Sequence, residues 1–302
     1  VTTSIESAFG VPAALSGAGM TAMMAIILFG GIRRLAVVSE VVVPAMVIGY
    51  LVLAIWVLIL NFTDIPRAIA LIFSSAFGLE QAVGGGVAAA VAQGARRGLF
   101  SNEAGLGTVP NVAAAADVPH PMSQGLVQSL SVFIDTVILC TATALIILMS
   151  SVYGSDGQTV QGVVLTQMAV AEHLGPIGEP LVSIALVLFA TTTIAYNAFL
   201  GENSITYFER LGRWVVPVFR LSVLLMIAWA SVQDLGTVFG FADLTMALLA
   251  LTNLLALWAL YPVAISLLRH FEQQLEAGLA PQFSRDEMPE EALDPASWPS
   301  EQ

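Results

Sequence analysis

The chain has 302 residues, 57% of them hydrophobic and 11% charged, with a mean hydropathy of +0.84 and a net charge of −12. That balance excludes a soluble enzyme domain, and because a helical span takes roughly 20 apolar residues, a chain of this size holds several spans and little else. All ten basic residues are arginines, no basic footprint for nucleic acid exists, and Cys140 has no second cysteine for a disulfide or thiolate metal site.

Apolar runs closed by charged or turn residues predict seven membrane spans, at Val11–Phe29, Val41–Leu60, Val83–Ala116, Leu126–Met149, Leu181–Leu200, Val215–Ala230 and Met246–Leu268. Ile65–Phe77 and Gly162–Leu174 are shorter, flanked by polar residues, and read as surface helices between spans. Residues 1–270 thus form a transmembrane helical domain. Residues 271–302 carry eight carboxylates against Arg285, which is −7 of the chain's charge, and with their prolines and few apolar anchors they read as a disordered tail.

Short cytoplasmic loops collect positive charge. Arg33 and Arg34 follow the first span, Arg210 and Arg213 the fifth and Arg269 the seventh, so seven crossings put all three groups on one side. The opposite loops hold Asp64, Asp156, Glu172, Glu179, Asp234 and Asp243, with Arg67 as the exception. A multi-pass cell-membrane protein with its carboxyl terminus in the cytoplasm is expected, with residue 1 outside. The chain starts with Val and shows no signal peptide, so it reads as the carboxyl-terminal part of a longer protein.

The third span is too long for a plain crossing and reads GGGVAAAVAQGARRGLFSNEAGLGTVPNVAAAAD from Gly84 to Asp117. Small residues repeat every four positions at Gly84, Ala88 and Ala92 and at Gly86, Ala90, Gly94 and Gly98, a pattern that favours close helix–helix contact. Arg96, Arg97, Ser101, Asn102, Glu103, Gly105, Gly107 and Pro110 follow. Polar residues with closely spaced glycines near mid-span predict a helix that breaks near 101–107 and restarts, tolerated where the freed backbone lines a cavity or is buried in protein. Broken helices of this sort build the substrate sites of secondary transporters. Ser101 or Asn102 is expected to cap the second half, whose free N–H groups would hold a carboxylate, while carbonyls released by the first half would accept an ammonium group or a cation. A zwitterionic amino acid fits both ends. The same spacing also fits a Gly-rich loop between ordinary helices, with Glu103 neutralising Arg96 or Arg97; the arginines themselves read as structural or gating groups.

The stretch Gly94–Leu148 resembles the signature region of the alanine or glycine:cation symporter family. RGLFSNEAG at Arg97–Gly105, the alanine run before Asp117, HP at His120–Pro121, QGLVQ at Gln124–Gln128 and FIDT at Phe133–Thr136 stand in the family's order. The remaining spans are compatible, so the resemblance covers the chain except its acidic tail. It implies an all-α polytopic LeuT-type fold, in which two inverted repeats enclose a central site; on that mapping core helices four to ten are present here and the first broken helix is not. It also implies a sodium ion held partly by hydroxyls of the eighth core helix, where Thr192 and Thr193 match the family's adjacent Ser/Thr pair. Threonines often bond back to their own helix, and that reading stands beside the ion. This stretch departs from the commonest family form, which has a tryptophan at Asn197 and a pair of tyrosines near Phe199 and Leu200; the departure bears on substrate size and coupling ion.

Break and resemblance together imply sodium-coupled symport of a small neutral amino acid, alanine or glycine, into the cell. Phe100, Ser101, Asn102, Glu103, Gly105 and Gly107 are expected at the substrate, and Thr192 and Thr193 at the metal ion. The partners are that amino acid, Na+ and membrane lipid, with no cofactor and no covalent chemistry. Proton coupling is the near variant, with Glu103 the candidate titrating group, and a non-transporting sensor or scaffold on the same fold is the other alternative. No HExxH occurs and His120, His173 and His270 are expected far apart in loops, which argues against an intramembrane hydrolase. Among the other polar residues in spans, Asp135 reads as a group with a buried structural partner, an arginine being one candidate, rather than an ion ligand, Glu202 as a solvated carboxylate and Asn253 as an interhelical hydrogen-bond group.

Overall fold

The computed structural model describes residues 1–30, 32–77, 86–152, 162–207, 212 and 214–283, with side chains described at all of these except 32–41 and 86–90. All regular structure among the described residues is helical. In chain order the α-helices are α1 (Thr2–Phe9), α2 (Ala13–Gly30), α3 (Ile32–Leu60), α4 (Ile65–Phe77), α5 (Gly86–Asn102), α6 (Val109–Ala113), α7 (Pro121–Phe133), α8 (Thr141–Met149), α9 (Val163–Leu174), α10 (Gly178–Thr206), α11 (Val215–Ala230) and α12 (Leu235–Glu276). A π-helical stretch, Ile134–Cys140, joins α7 to α8.

Among the described residues five stretches are long and apolar enough to cross a membrane: Ala13–Gly30, Val42–Leu60, Pro121–Met149, Val163–Thr206 and Leu235–Glu276; α11 is apolar but shorter. With α11 they cover six of the expected spans. The third expected span is the broken pair α5 and α6, and its first residues, with Gly84 of the small-residue repeat, lie outside the described ones. At Gly94 and Gly98 no described atom comes within 4 Å of where a Cβ would stand, so the close contact expected there is not made by any described residue.

Helix α12 departs most from its expected bounds. Its 42 residues extend about 63 Å at about 1.5 Å per residue, twice a hydrocarbon core of about 30 Å. It runs past the expected domain boundary at 270, and it takes Asp243 out of the loop where charge counting put it. Asp234 starts it: the carboxylate accepts the Thr237 hydroxyl at 2.7 Å and the Thr237 N–H at 2.8 Å. Those bonds, the hydroxyl's first, hold the Asp234 carboxyl below the ordinary aspartate range, so this start is secured at neutral pH and released as pH falls through that lowered value. Of the tail expected to be disordered, residues 284–302 lie outside the described ones.

The chain divides into two compact units, one of Val1–Arg97 with Thr136–Asp243 and one of Gly98–Asp135 with Leu244–Gln302. In the first unit, α3, α8, α9 and α10 enclose a core of Ala54, Val57, Ala142, Ile146, Ala169, Val170 and Val182. Helix α9 is therefore not the surface helix its polar flanks suggested. Its Ala169 and Val170 are fully buried against Ala54 and Val57 of α3, Ala142 and Ile146 of α8 and Val182 of α10, and its Gln167 is buried among Ser4 of α1 and Ser183 of α10. Helix α4 does keep a surface character, with Ala68 its one buried residue. A second core, Met24, Leu28, Ala195 and Ala198, joins α2 to α10 and is flanked by Val223, Leu224 and Ile227 of α11.

Glu202 on α10 is not a solvated carboxylate. Arg220 on α11 grips it with two hydrogen bonds, Nε at 3.0 Å and Nη2 at 2.7 Å, and the two side chains are 17% and 20% exposed. A glycine beside it makes the approach feasible, since a Cβ at Gly201 would collide with the Phe219 ring. Truncating one partner of a desolvated pair strands the other charge, so Arg220→Met is expected to lower stability by about 2 kcal/mol. Adding Glu202→Leu should recover most of that loss. Thermal unfolding of the purified protein in detergent reads both, and a double variant no more stable than the single one would contradict the assignment.

Candidate functional site

The site lies in the second unit, where α5 stops at Asn102 and α6 starts at Val109. Asn102 ends α5 by turning its side chain back onto the chain, its Oδ1 accepting the Ala104 N–H at 2.9 Å. The Glu103 N–H still reaches the Leu99 carbonyl at 3.0 Å, and the Leu106 N–H reaches the Glu103 carbonyl at 3.1 Å. Glu103, Gly105 and Gly107 all have left-handed backbone, with φ of 54°, 80° and 82°. Three such residues within five positions cannot continue a right-handed helix, and two of them are the residue type that adopts this conformation without a Cβ clash. Leu106, only 4% exposed, pins the turn from inside.

Two side chains hold the break. Asn253, on α12, donates from Nδ2 to the Gly105 carbonyl at 2.9 Å. It packs so closely that a Cβ on Gly107 would stand 2.6 Å from its Oδ1, whereas a Cβ on Gly105 would meet nothing within 4 Å. Asn253 is thus the interhelical hydrogen-bond group its mid-span position suggested. Asp135, in the first turn of the π-helical stretch, accepts the Ser101 hydroxyl at 2.7 Å. The structural partner expected for it is thus a serine, where an arginine was one candidate, and Asp135 is half-buried. Single π-helical turns inside α-helices recur at functional sites because they shift side chains out of the α register.

The expected residues fall into place unevenly. Phe100 and Ser101 lie on the last turn of α5 and are exposed, and Glu103 and Gly107 are half-buried in the turn. Neither Ser101 nor Asn102 caps the second half: both belong to α5, and Thr108 precedes α6. With five residues, α6 is little more than one turn, so its aligned dipoles are too few to hold a carboxylate alone. The Thr108 hydroxyl is buried and has no hydrogen-bond partner among the described residues. Arg97 pairs with Asp243 at 3.7 Å and lies 4.5 Å above the Phe239 ring.

Thr192 and Thr193 belong to the first unit, on α10. The Thr191 hydroxyl donates to the Val187 carbonyl at 2.6 Å, and that of Thr192 to the Leu188 and Phe189 carbonyls at 3.1 and 3.0 Å. Thr193 is exposed, and the Asn197 amide donates to its carbonyl at 3.1 Å. Helix bonding therefore uses the donor of Thr192, while its oxygen keeps lone pairs to offer. Sequence reasoning missed the Asp135–Ser101 bond and the Arg220–Glu202 pair; the signal for both was an ionisable residue inside an apolar run.

The sequence profile of the sodium:alanine symporter family matches residues 1–285. An uncharacterised transporter of Haemophilus influenzae is 42% identical over 91% of this chain and 57% of its own length. A Bacillus subtilis protein named "probable sodium/glutamine symporter" is 37% identical over 95% of this chain and 59% of its own. The sodium/proton-dependent alanine carrier protein of Bacillus strain PS3 is 35% identical over 93% of this chain and 66% of its own. The chain spans between 57% and 66% of the length of these relatives.

The break yields a test that needs no transport. Gly105→Ala adds only left-handed strain, about 1 kcal/mol. Gly107→Ala adds the same strain plus contact with Asn253, and is expected to cost clearly more. Asn253→Ala orphans the Gly105 carbonyl, at about 1 kcal/mol, and should make Gly107→Ala tolerable. A melting series of the three single variants and the Asn253→Ala/Gly107→Ala double checks this; strict additivity would show that the two residues do not touch.

Proposed function

The chain belongs to the sodium:alanine symporter family, one of transporters and not of enzymes, and we propose that it forms part of a sodium-coupled symporter carrying a small neutral amino acid, alanine or glycine, into the cell. The observation that carries this reading is the break between α5 and α6. It offers freed backbone, a carboxylate at Glu103 and an unpartnered hydroxyl at Thr108 within a helical membrane protein, where such groups are tolerated only for a purpose. Substrate binds at Phe100, Ser101, Asn102, Glu103, Gly105 and Gly107. The ammonium group meets released carbonyls, and because α6 is too short to act through its dipole, the substrate carboxylate is held by individual N–H and hydroxyl groups of the Gly105–Thr108 turn.

The fold is read as LeuT-type, with core helices four to ten in this chain, residues 1–270 as the membrane domain and 271–302 as a cytoplasmic end. The arginines of Arg33–Arg34, Arg210, Arg213 and Arg269 support that orientation in the cell membrane. Sodium is the coupling ion, with Thr192 and Thr193 among its ligands. Binding of the ion and the amino acid shifts the population between outward-open and inward-open states. Two second readings have particular support. Asn197, where the family's commonest form has tryptophan, leaves room beside α10, and a relative named for glutamine stands at 37% identity, so glutamine is the competing substrate. A relative named for sodium and proton together keeps proton coupling through Glu103 in view.

The complete protein in proteoliposomes is expected to concentrate labelled alanine or glycine under an inward sodium gradient and to stop when potassium replaces external sodium. Equal uptake in both salts would remove sodium coupling; preferential uptake of glutamine would replace the substrate; no uptake of any would favour the sensor reading. In the same assay Thr192→Val and Thr193→Val are expected to raise the sodium concentration for half-maximal uptake several-fold at unchanged expression, because a methyl group cannot replace an oxygen ligand. Unchanged sodium dependence in both would leave these hydroxyls to helix bonding.

A further inference from the structure

We propose that the cavity between α3, α8, α9 and α10 is a binding site for a neutral lipid, a single hydrocarbon chain that ends in a hydroxyl group. All four helices belong to the first unit. The cavity holds about 460 Å³ and is partly open, within the range of about 300–1,000 Å³ usual for small-molecule pockets. Met46 and Leu53 of α3 and Leu188 and Phe189 of α10 are among its apolar walls, and no charged residue lines it among the described ones. Residues 46–53 are the middle of the Val42–Leu60 stretch, so the cavity lies at hydrocarbon depth, where lipid chains are the molecules at hand. Gly49 thins its wall, since a Cβ there would meet nothing within 4 Å.

Three hydroxyls line the cavity, those of Tyr50, Thr143 and Thr166, and their hydrogens decide what they take. The Leu139 carbonyl can only accept, and it receives the Thr143 hydroxyl at 2.9 Å. The bond between Tyr50 and Thr143 therefore runs from the phenol to the threonine oxygen. That leaves the Tyr50 oxygen as an acceptor with no donor among the described residues. The Thr166 hydroxyl makes no hydrogen bond among the described residues, so both its hydrogen and its lone pairs are on offer.

A ligand hydroxyl donates, as the Tyr50 oxygen requires, and accepts, as the Thr166 hydrogen requires. A carboxylate or a phosphate would bring a charge that no lining cation answers, and a plain alkane would leave both protein groups unpaired. Apolar side chains from elsewhere in the complete protein would fill the volume and leave the same two groups unanswered. The site goes beyond the symporter reading and does not depend on it.

The test is photolabelling of the complete protein in lipid nanodiscs with a hexadecanol that carries a diazirine on its chain, the labelled peptides being read by mass spectrometry. Labelling is expected within residues 46–53 and 181–189, and unlabelled hexadecanol should displace it about fivefold better than hexadecane, the effect of one hydrogen bond. Residues 251–255 of α12, where Leu251, Leu254 and Leu255 are exposed, serve as the control for general contact with the bilayer, and there the two competitors should be equal. Gly49→Leu, whose side chain enters the cavity, is expected to remove most labelling of 46–53 and 181–189 and none of that on α12. Tyr50→Phe should keep the labelling and lose the preference for alcohol over alkane. Cavity labelling no stronger than that of α12 in the parent protein would overturn the proposal and show that another part of the complete protein fills the space. Equal displacement by alcohol and alkane in the parent would overturn it as well, and neither readout depends on how a variant folds.

Discussion

The Gly105 carbonyl is released when α5 stops, and its hydrogen bond from Asn253 is the interaction on which the rest of the second unit depends. A carbonyl that loses its helical bond and finds no other donor costs about 1 kcal/mol or more. A break is therefore stable only beside a side chain that accepts its geometry. Gly107 has no Cβ for the same reason that Asn253 is an amide: the amide must come within bonding distance of the turn, and a methyl group on Gly107 would occupy the place it takes. Ser101 and Asp135 repeat the arrangement on the other side, a short hydroxyl on the broken helix and an acceptor on an intact one.

The charged residues obey the same economy of solvation. Arg220 and Glu202 meet with two hydrogen bonds and little exposure, while Arg97 and Asp243 stand 3.7 Å apart with 45% and 32% of their side chains exposed, the arginine resting on Phe239. The first pair is a fixed joint between α10 and α11. The second has looser geometry and more solvent, so less holds it in one arrangement. The buried cluster of Gln167, Ser4 and Ser183, with bonds of 2.6 and 3.2 Å, is a third joint, uncharged, between α1, α9 and α10.

What could be read in advance follows from what each feature needs. An apolar run of span length is helical in a membrane whatever surrounds it, so α2, α3, α10 and α11 lie where hydropathy put them. The break was legible because glycines beside Ser101, Asn102 and Glu103 contradict a lipid-facing helix by composition alone. Its interior was not: that Asn102 would close α5 and α6 would shrink to five residues depends on the φ of Glu103, Gly105 and Gly107, and those angles depend on Asn253 some 150 positions away. For α9, polar flanks were a misleading guide, since burial is decided by the residues of α3, α8 and α10 that face it.

The sequence by itself determined that the chain is a helical membrane protein, where most of its helices run, that one of them breaks near 101–107, and through its motifs the family it belongs to. These are local properties, set by transfer of side chains and backbone from water and by the conformational freedom of glycine. Only the tertiary structure decided who answers whom: Asn253 with Gly105, Asp135 with Ser101, Arg220 with Glu202, Arg97 with Asp243, and His120 with His270. A lone polar residue in a span announces that it needs a partner, but an asparagine, a serine or an arginine would each satisfy the need, and the choice is made by whichever helix packs closest.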